Sequence, residues 1–277
     1  MKNVLVIMGS PRKNGDSSHV VSLIAEKVKS LGEVNFKYIM LKDTRLEYCR
    51  GCLACMIKGE GYCPLKDDSV SLRTDLLNAD GVIFASPVYV HQISALLKNF
   101  FDRFAFFMHR PAFHSKCSLT VCTTEISGLA EATAYLKWIT SCWGFFNIHS
   151  FGIIVDAFKE EGPYRRKTMS EINRAAQGFF EAMQTGKRPT PSLDDMKFFN
   201  AIRMKIKIHK DKMPRDYRYW EEMGWLNAGY FYPARLNPLF VILGKLPVRI
   251  IMLVLRLKLG SSLYRRMVGG AKTQHNK

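Results

Sequence analysis

Five consecutive apolar residues, Val4-Leu5-Val6-Ile7-Met8, lead into a loop of turn formers, Gly9-Ser10-Pro11-Arg12-Lys13-Asn14-Gly15-Asp16-Ser17-Ser18, and a helical pattern takes over at residues 20–28. A continuous branched apolar run suits a strand covered on both faces, the interior strand of a parallel sheet. The chain therefore begins as strand, tight loop and helix. Ser17 and Ser18 stand where a helix N-cap belongs, a position that favours hydroxyl side chains. Amides at a helix start, with the helix dipole behind them, attract anions. Ser10, Arg12, Ser17 and Ser18 are the side chains that would complete such a site.

Spacing limits which anion fits. A Walker-type loop ends in Gly-Lys-Ser/Thr, and a dinucleotide loop carries G-x-G-x-x-G; here Gly15 is followed by Asp16, and only Gly9 and Gly15 are present. Both nucleotide patterns fail. Serine hydroxyls, amides and one arginine suit a monophosphate dianion, and the plain alternative is an ordinary strand-to-helix turn capped by Ser17.

The rest of the chain repeats the alternation. Strands are expected at residues 34–41, 81–86, 118–123 and 146–155, and helices at 69–77 behind Asp67-Asp68, at 94–107, at 128–143 and at 170–184. Strands alternating with helices call for right-handed crossovers and a parallel sheet. Five strands fit the doubly wound order 2-1-3-4-5, whose ligand sits at the carboxyl ends of the strands near the switch between strands 1 and 3. The loops meeting there are residues 9–18, 86–92 and 123–128. Leu96, Leu97, Phe100, Phe101 and Phe104 form one helix face, read as core or subunit interface rather than a cofactor box.

Several pieces together resemble the NAD(P)H-dependent FMN reductase group, and within it the iron-sulfur flavoproteins. They are Gly9-Ser10-Pro11-Arg12-Lys13-Asn14-Gly15, Cys49-x-Gly51-Cys52-x-x-Cys55, Cys63-x-x-x-Asp67-Asp68, Ala79-Asp80-Gly81, Ser86-Pro87-Val88-Tyr89 and Leu97-Lys98-Asn99-Phe100-Phe101-Asp102-Arg103, spread over residues 3–185. The resemblance implies a flavodoxin-like fold, with the FMN phosphate held by Ser10, Arg12, Ser17 and Ser18 and the isoalloxazine against Pro87, Val88 and Tyr89, with Ser86 at the strand end. It also implies flavin contacts from Thr123, Thr124 and Glu125, although this third loop, Thr123-Thr124-Glu125-Ile126-Ser127-Gly128, lacks the glycines common in relatives. Its bulk and charge would narrow the flavin's exposed edge or swing the loop away.

Four of seven cysteines lie in the run Cys49-x2-Cys52-x2-Cys55-x7-Cys63. Four thiolates suit zinc or a [4Fe-4S] cluster; the compact x2-x2 spacing is nearer the cluster pattern, since zinc sites more often use two separated pairs. A metal-free loop is the third reading. The resemblance implies a [4Fe-4S] cluster on Cys49, Cys52, Cys55 and Cys63. Cys117, Cys122 and Cys142 lie in apolar surroundings and read as small core residues.

The net charge is +17, and residues 194–277 hold 17 Lys and Arg against 6 Asp and Glu. Such a segment invites an acidic partner. Two prolines, Pro189 and Pro191, divide a flavodoxin-like FMN-binding domain, residues 1–188 with the cysteine-rich loop 49–63, from a basic, mostly helical extension, residues 189–277. The extension mixes a basic amphipathic segment at 196–212, seven aromatics at 217–232, and an apolar stretch at 236–259 broken by Pro238, Lys245, Pro247, Arg249 and Arg256. That is too interrupted to span a bilayer. It suits a peripheral membrane surface through residues 196–270, with Arg249, Arg256, Lys258, Arg265 and Arg266 reaching lipid phosphates, or packing on the flavin domain or across a dimer with the lysines solvated. Nucleic acid is not expected, because no recognition motif accompanies the charge. With no signal-peptide pattern ahead of the first strand, the expected location is the cytoplasm, with peripheral attachment at the inner face of the membrane.

The expected activity is an FMN-dependent oxidoreductase moving electrons from NAD(P)H or a protein donor through flavin, with a [4Fe-4S] cluster, to a small-molecule or protein acceptor. The alternatives are a cluster-free NAD(P)H:FMN or quinone reductase and a non-catalytic, membrane-docked electron carrier. A homo-oligomer is expected from the family.

Overall fold

The computed structural model describes residues 1–247 together with Ile250, Leu253, Val254 and Leu257. By its contacts the chain divides into two units: Met1–Arg50, Leu65–Ala105 and Pro111–Arg188 form the first, and Gly51–Pro64, Phe106–Arg110 and the chain from Pro189 form the second. The second unit thus takes in the middle of the cysteine loop, which the linear reading groups with residues 1–188.

The first unit is a sheet of β1 (Lys2–Met8), β2 (Val34–Met40), β3 (Gly81–Tyr89), β4 (Gln92–Ile93), β5 (Cys117–Thr124) and β6 (Phe146–Ile154). Its path is β2-β1-β3-β5-β6, parallel throughout. Counting the long strands alone, this is the order 2-1-3-4-5. The structure adds β4, two residues antiparallel to the end of β3, because the chain reverses tightly at Val90 and His91.

Both sheet faces are covered, which is why β1 needs no polar residue from Val4 to Met8: each is at most 2% exposed. On one face α1 (Asp16–Lys29) and α5 (Pro163–Thr185) pack Val20, Ile24, Ile172 and Phe179 against Val4, Val6 and Ile83. On the other, Phe84 meets the rings of Phe101, Trp143 and Phe145, carried by α3 (Ala95–Arg103) and the end of α4 (Leu129–Cys142). Phe100, Phe101 and Phe104 are buried here. Burying an aromatic side chain of this kind contributes about 2–3 kcal/mol. Cys117 and Cys122 are buried and their thiols are pushed up to about 12 by burial, so they are inert core residues; Cys142 is buried as well.

Helix ends depart from the sequence expectation. The first helix begins at Asp16 behind Gly15, with no side-chain cap, so Ser17 and Ser18 lie inside its first turn. The third ends at Arg103, with Phe106–His109 a separate short turn. The fifth begins at Pro163 rather than 170, since proline's fixed φ and missing N–H suit the first helical position.

The second unit has its own core. There α6 (Leu193–Ile208), opened by a capping box between Ser192 and Asp195, buries Phe199, Ile202 and Ile206. They pack with Trp220 of α7 (Pro214–Glu222) and with Trp225 and Phe231. Trp220 and Trp225 meet edge-on at 5.5 Å, Trp225 and Phe231 at 4.8 Å. These aromatics are therefore core residues, not a lipid-facing belt. A short helix, α8 (Pro238–Leu243), follows. Arg249, Arg256, Lys258, Arg265 and Arg266 lie outside the described residues. Among the described residues no helix is long and apolar enough to cross a membrane.

Candidate functional site

At the carboxyl ends of β1, β3 and β5 the three loops meet around a cleft of about 330 Å³. Ser10, Arg12, Gly15, Asp16 and Ser17 line one side, Pro87 to His91 a second, and Thr123 to Ser127 with Val155 the third. This is the switch point, where β1 and β3 send their crossovers to opposite faces.

A hydroxyl network beneath the cleft sets the loops. Ser94, capping α3, donates to Gly9 O at 2.7 Å, and its amide donates to Ser86 Oγ at 2.9 Å. The approach is so close that a Cβ on Gly9 would stand 2.8 Å from Leu97 Cβ. Ser10 Oγ accepts from the Arg12 amide at 3.1 Å, turning the loop. Ser17 and Thr123 share a buried hydrogen bond of 2.6 Å that ties the first loop to the third.

Thus Ser10, Arg12, Ser17, Pro87, Val88, Tyr89, Thr123, Thr124 and Glu125 line the cleft, whereas Ser86 lies beneath it and Ser18 is not on its wall. Ser18 Oγ is nonetheless buried in the first turn of α1 with no partner among the described residues. A buried unpaired hydroxyl beside a helix N-terminus fits an incoming acceptor. The third loop lies along the cleft; Thr124 Oγ1 donates to Ser127 O at 2.8 Å and closes it, leaving Ile126 83% exposed.

Asp16, Val90, His91, Ser127 and Val155 line the cleft without having been singled out from sequence. His91 stands inside a loop already named, and its neighbourhood was the only signal available. Asp16 places a carboxylate at the anion end, and Lys159 Nζ pairs with it at 2.8 Å. Val90 and His91 both have left-handed backbones, φ 49° and 60°, which a two-residue hairpin demands and a β-branched residue resists. Gly128, φ 84°, packs under this turn, where a Cβ would stand 2.8 Å from His91 Cα and Val88 Cγ1.

The neck of the cysteine loop belongs to the first unit and is clamped. Asp67, whose side chain is fully buried, pairs with Arg103 and accepts from the Glu47 amide at 2.9 Å; Asp68 accepts from the Arg45 amide at 2.7 Å. Arg103 also donates to Glu47 O at 2.8 Å. Burial pushes the Asp67 carboxyl up, and its hydrogen bonds to Arg103, Glu47 and Ser69 outweigh this, holding it far below the usual carboxylate range. A depressed carboxyl stabilises the fold fully above its unfolded value of about 3.9 and loses that contribution as pH falls toward its folded value. The melting temperature is expected to drop as pH falls below about 4, with a smaller drop in Asp67→Asn; circular dichroism melts across pH test this, and parallel curves would refute it.

Cys49 is exposed and lines a hollow with Leu46, Tyr48, Ala95, Leu96 and Asn99 against the first turns of α3. In the second unit Cys52 is exposed and Cys55 and Cys63 are half-buried, on a chain turned by left-handed residues at Gly51, Leu53 and Gly59. Also in the second unit, Arg110 donates to Cys55 O at 3.0 Å and Glu60 Oε2 at 2.9 Å, and pairs with the fully buried Asp216. His109 Nδ1 lies 2.6 Å from Asp216, and Trp220 Nε1 donates to His109 O.

The sequence matches the NADPH-dependent FMN reductase family over residues 2–159, the segment that builds all six strands and the whole cleft wall. The chain belongs to this family. It is an FMN-dependent NAD(P)H oxidoreductase with a flavodoxin-like fold. Curated relatives include an iron-sulfur flavoprotein of Archaeoglobus fulgidus, 29% identical over 79% of this chain and 98% of its own length. Another, from Clostridioides difficile, is 30% identical over 80% of this chain and 98% of its own. Among solved structures an oxidoreductase from Corynebacterium diphtheriae superposes with a TM-score of 0.51 at 16% identity, over 68% of this chain and 99% of that one; that likeness concerns the fold.

The FMN reductase cleft suits its cofactor: an amide-rich helix start with Arg12 and hydroxyls for the phosphate, and an apolar wall from Pro87 to Tyr89 for a flat ring. The cysteines suit an iron-sulfur cluster in donor chemistry. Among the described residues no three His, Cys, Asp or Glu side chains are gathered closely enough to hold a metal ion.

Proposed function

We propose that this FMN reductase binds a [4Fe-4S] cluster on Cys49, Cys52, Cys55 and Cys63, and that its electrons leave to a small-molecule or protein acceptor. The observation that carries this is the four-thiol spacing on a loop whose neck is clamped by Asp67, Asp68 and Arg103. The names of the two relatives support it. The hollow holding Cys49 abuts α3, whose cap Ser94 is bonded to the loops that floor the cleft.

Bound flavin supplies two-electron hydride acceptance together with one-electron release. The protein's part is positional. Ser10, Arg12, Ser17 and Ser18 would hold the phosphate, aided by the first amides of α1. Pro87, Val88 and Tyr89 would lie along the ring with Ser86 fixing their strand end, and Thr123, Thr124 and Glu125 would border the far edge. Iron and acid-labile sulfide analysis of anaerobically purified protein tests the cluster, alongside the visible spectrum. About four iron atoms per chain are expected, falling sharply in Cys52→Ser with flavin content retained. Flavin bands without iron would leave a cluster-free NAD(P)H:FMN or quinone reductase.

A further inference from the structure

The second unit buries Phe199, Trp220, Trp225 and Phe231 but leaves a line of aliphatic residues in the open. Leu239, Ile242, Leu246, Ile250, Leu253 and Leu257 are 40% to 74% exposed and recur at intervals of three and four, the spacing of one helix face. Leu246, Ile250, Leu253 and Leu257 are all helical, and Gly244, between them and α8, keeps a right-handed helical backbone. At the start of this segment the protein is close: a Cβ on Gly244 would stand 2.8 Å from Met196 Cβ of α6. The stripe thus starts on α8, which is anchored beside α6.

Charge accompanies it. After Glu222 the chain has nine Lys and Arg and no Asp or Glu. A solvent-facing helix of a soluble monomer ordinarily mixes both signs and breaks up its apolar residues; an exposed aliphatic face of this length marks an interaction surface. An aliphatic face within an acid-free basic segment matches one surface well, the interface of an anionic bilayer, where the apolar face sits at the acyl boundary and the cations meet phosphate headgroups.

We propose that Leu239, Ile242, Leu246, Ile250, Leu253 and Leu257 form a peripheral membrane-binding surface selective for anionic lipid. It docks the second unit on the bilayer in the plane of the interface, without spanning. The reading does not rest on the cluster, so its failure would leave the redox assignment untouched.

Vesicle flotation with the full-length protein tests it. Vesicles containing about one-third phosphatidylglycerol are expected to carry the protein up the gradient, phosphatidylcholine vesicles to carry little, and raised salt to weaken the binding. Ile250→Glu with Leu253→Glu changes only exposed positions outside the cleft. This variant is expected to lose at least about tenfold in partitioning, with its flavin occupancy, NAD(P)H oxidation and melting temperature unchanged. Three outcomes would overturn the proposal: no flotation with anionic vesicles, flotation that the double substitution leaves unaltered, or concentration-dependent self-association abolished by the double substitution, which would make the stripe a contact between copies of this chain.

Discussion

Asp216→Ala is expected to be among the most damaging single substitutions in the second unit, costing about 3–5 kcal/mol. Asp216 is fully buried and faces both Arg110, 3% exposed, and His109. Removing the carboxylate leaves the buried Arg110 guanidinium with only the more exposed Glu60 as counter-charge, and its desolvation is then less well compensated. The effect reaches the cysteine loop, because Arg110 also holds Cys55 O and Glu60. Denaturant unfolding followed by tryptophan fluorescence would read it, since Trp220 and Trp225 sit in this core. The double change Arg110→Met with Asp216→Leu removes both charges and is expected to cost less than Asp216→Ala alone. A double variant less stable than the single one would show that the pair contributes net stability beyond mutual neutralisation.

Ser17→Asp is expected to weaken FMN binding by roughly a hundredfold or more, about 3 kcal/mol. The new carboxylate would face the phosphate from the first turn of α1, where the dipole and amides favour the ligand's charge, and it would break the bond to Thr123. Because Ser17 is buried, part of the loss would come from the fold itself. Arg12→Ala separates the two causes: Arg12 is exposed, so its removal should lower affinity with little change in melting temperature. Flavin fluorescence titration of the apoprotein measures both, and unchanged affinity in both variants would remove the phosphate assignment.

The cleft was legible because its parts are local. A β-branched run, a turn-rich loop and a helix start are each written in consecutive residues, and the parallel sheet brings strand ends together by a rule that needs no side-chain detail. The helix boundary was less so: Ser17 reads as a cap, yet Gly15 takes that position and Ser17 bonds across to Thr123, a partner 106 residues away. The Val90-His91 turn carried no hairpin signal either. It has none of the glycine, asparagine or aspartate that such turns prefer, and the β-branched Val90 accepts strain where β3 must fold back beside the cleft.

The tail shows the limit most plainly. Composition alone allowed its aromatics either to meet lipid or to pack, because a hydrophobic side chain gains similarly from either environment. Folding settled it for Trp220, Trp225 and Phe231 by supplying the face of α6, with Phe199 and Ile206, for them to bury against. What the sequence determined by itself was the alternation of strand and helix, the order of the sheet and the three loops at its switch point, since these follow from periodicity and handedness. Only the tertiary structure decided that Asp216 closes on His109 and Arg110, that Asp67 and Arg103 clamp the neck of the cysteine loop, and which apolar residues of the tail remain outside. Each depends on which distant groups share a space too small for water, and sequence spacing does not encode that.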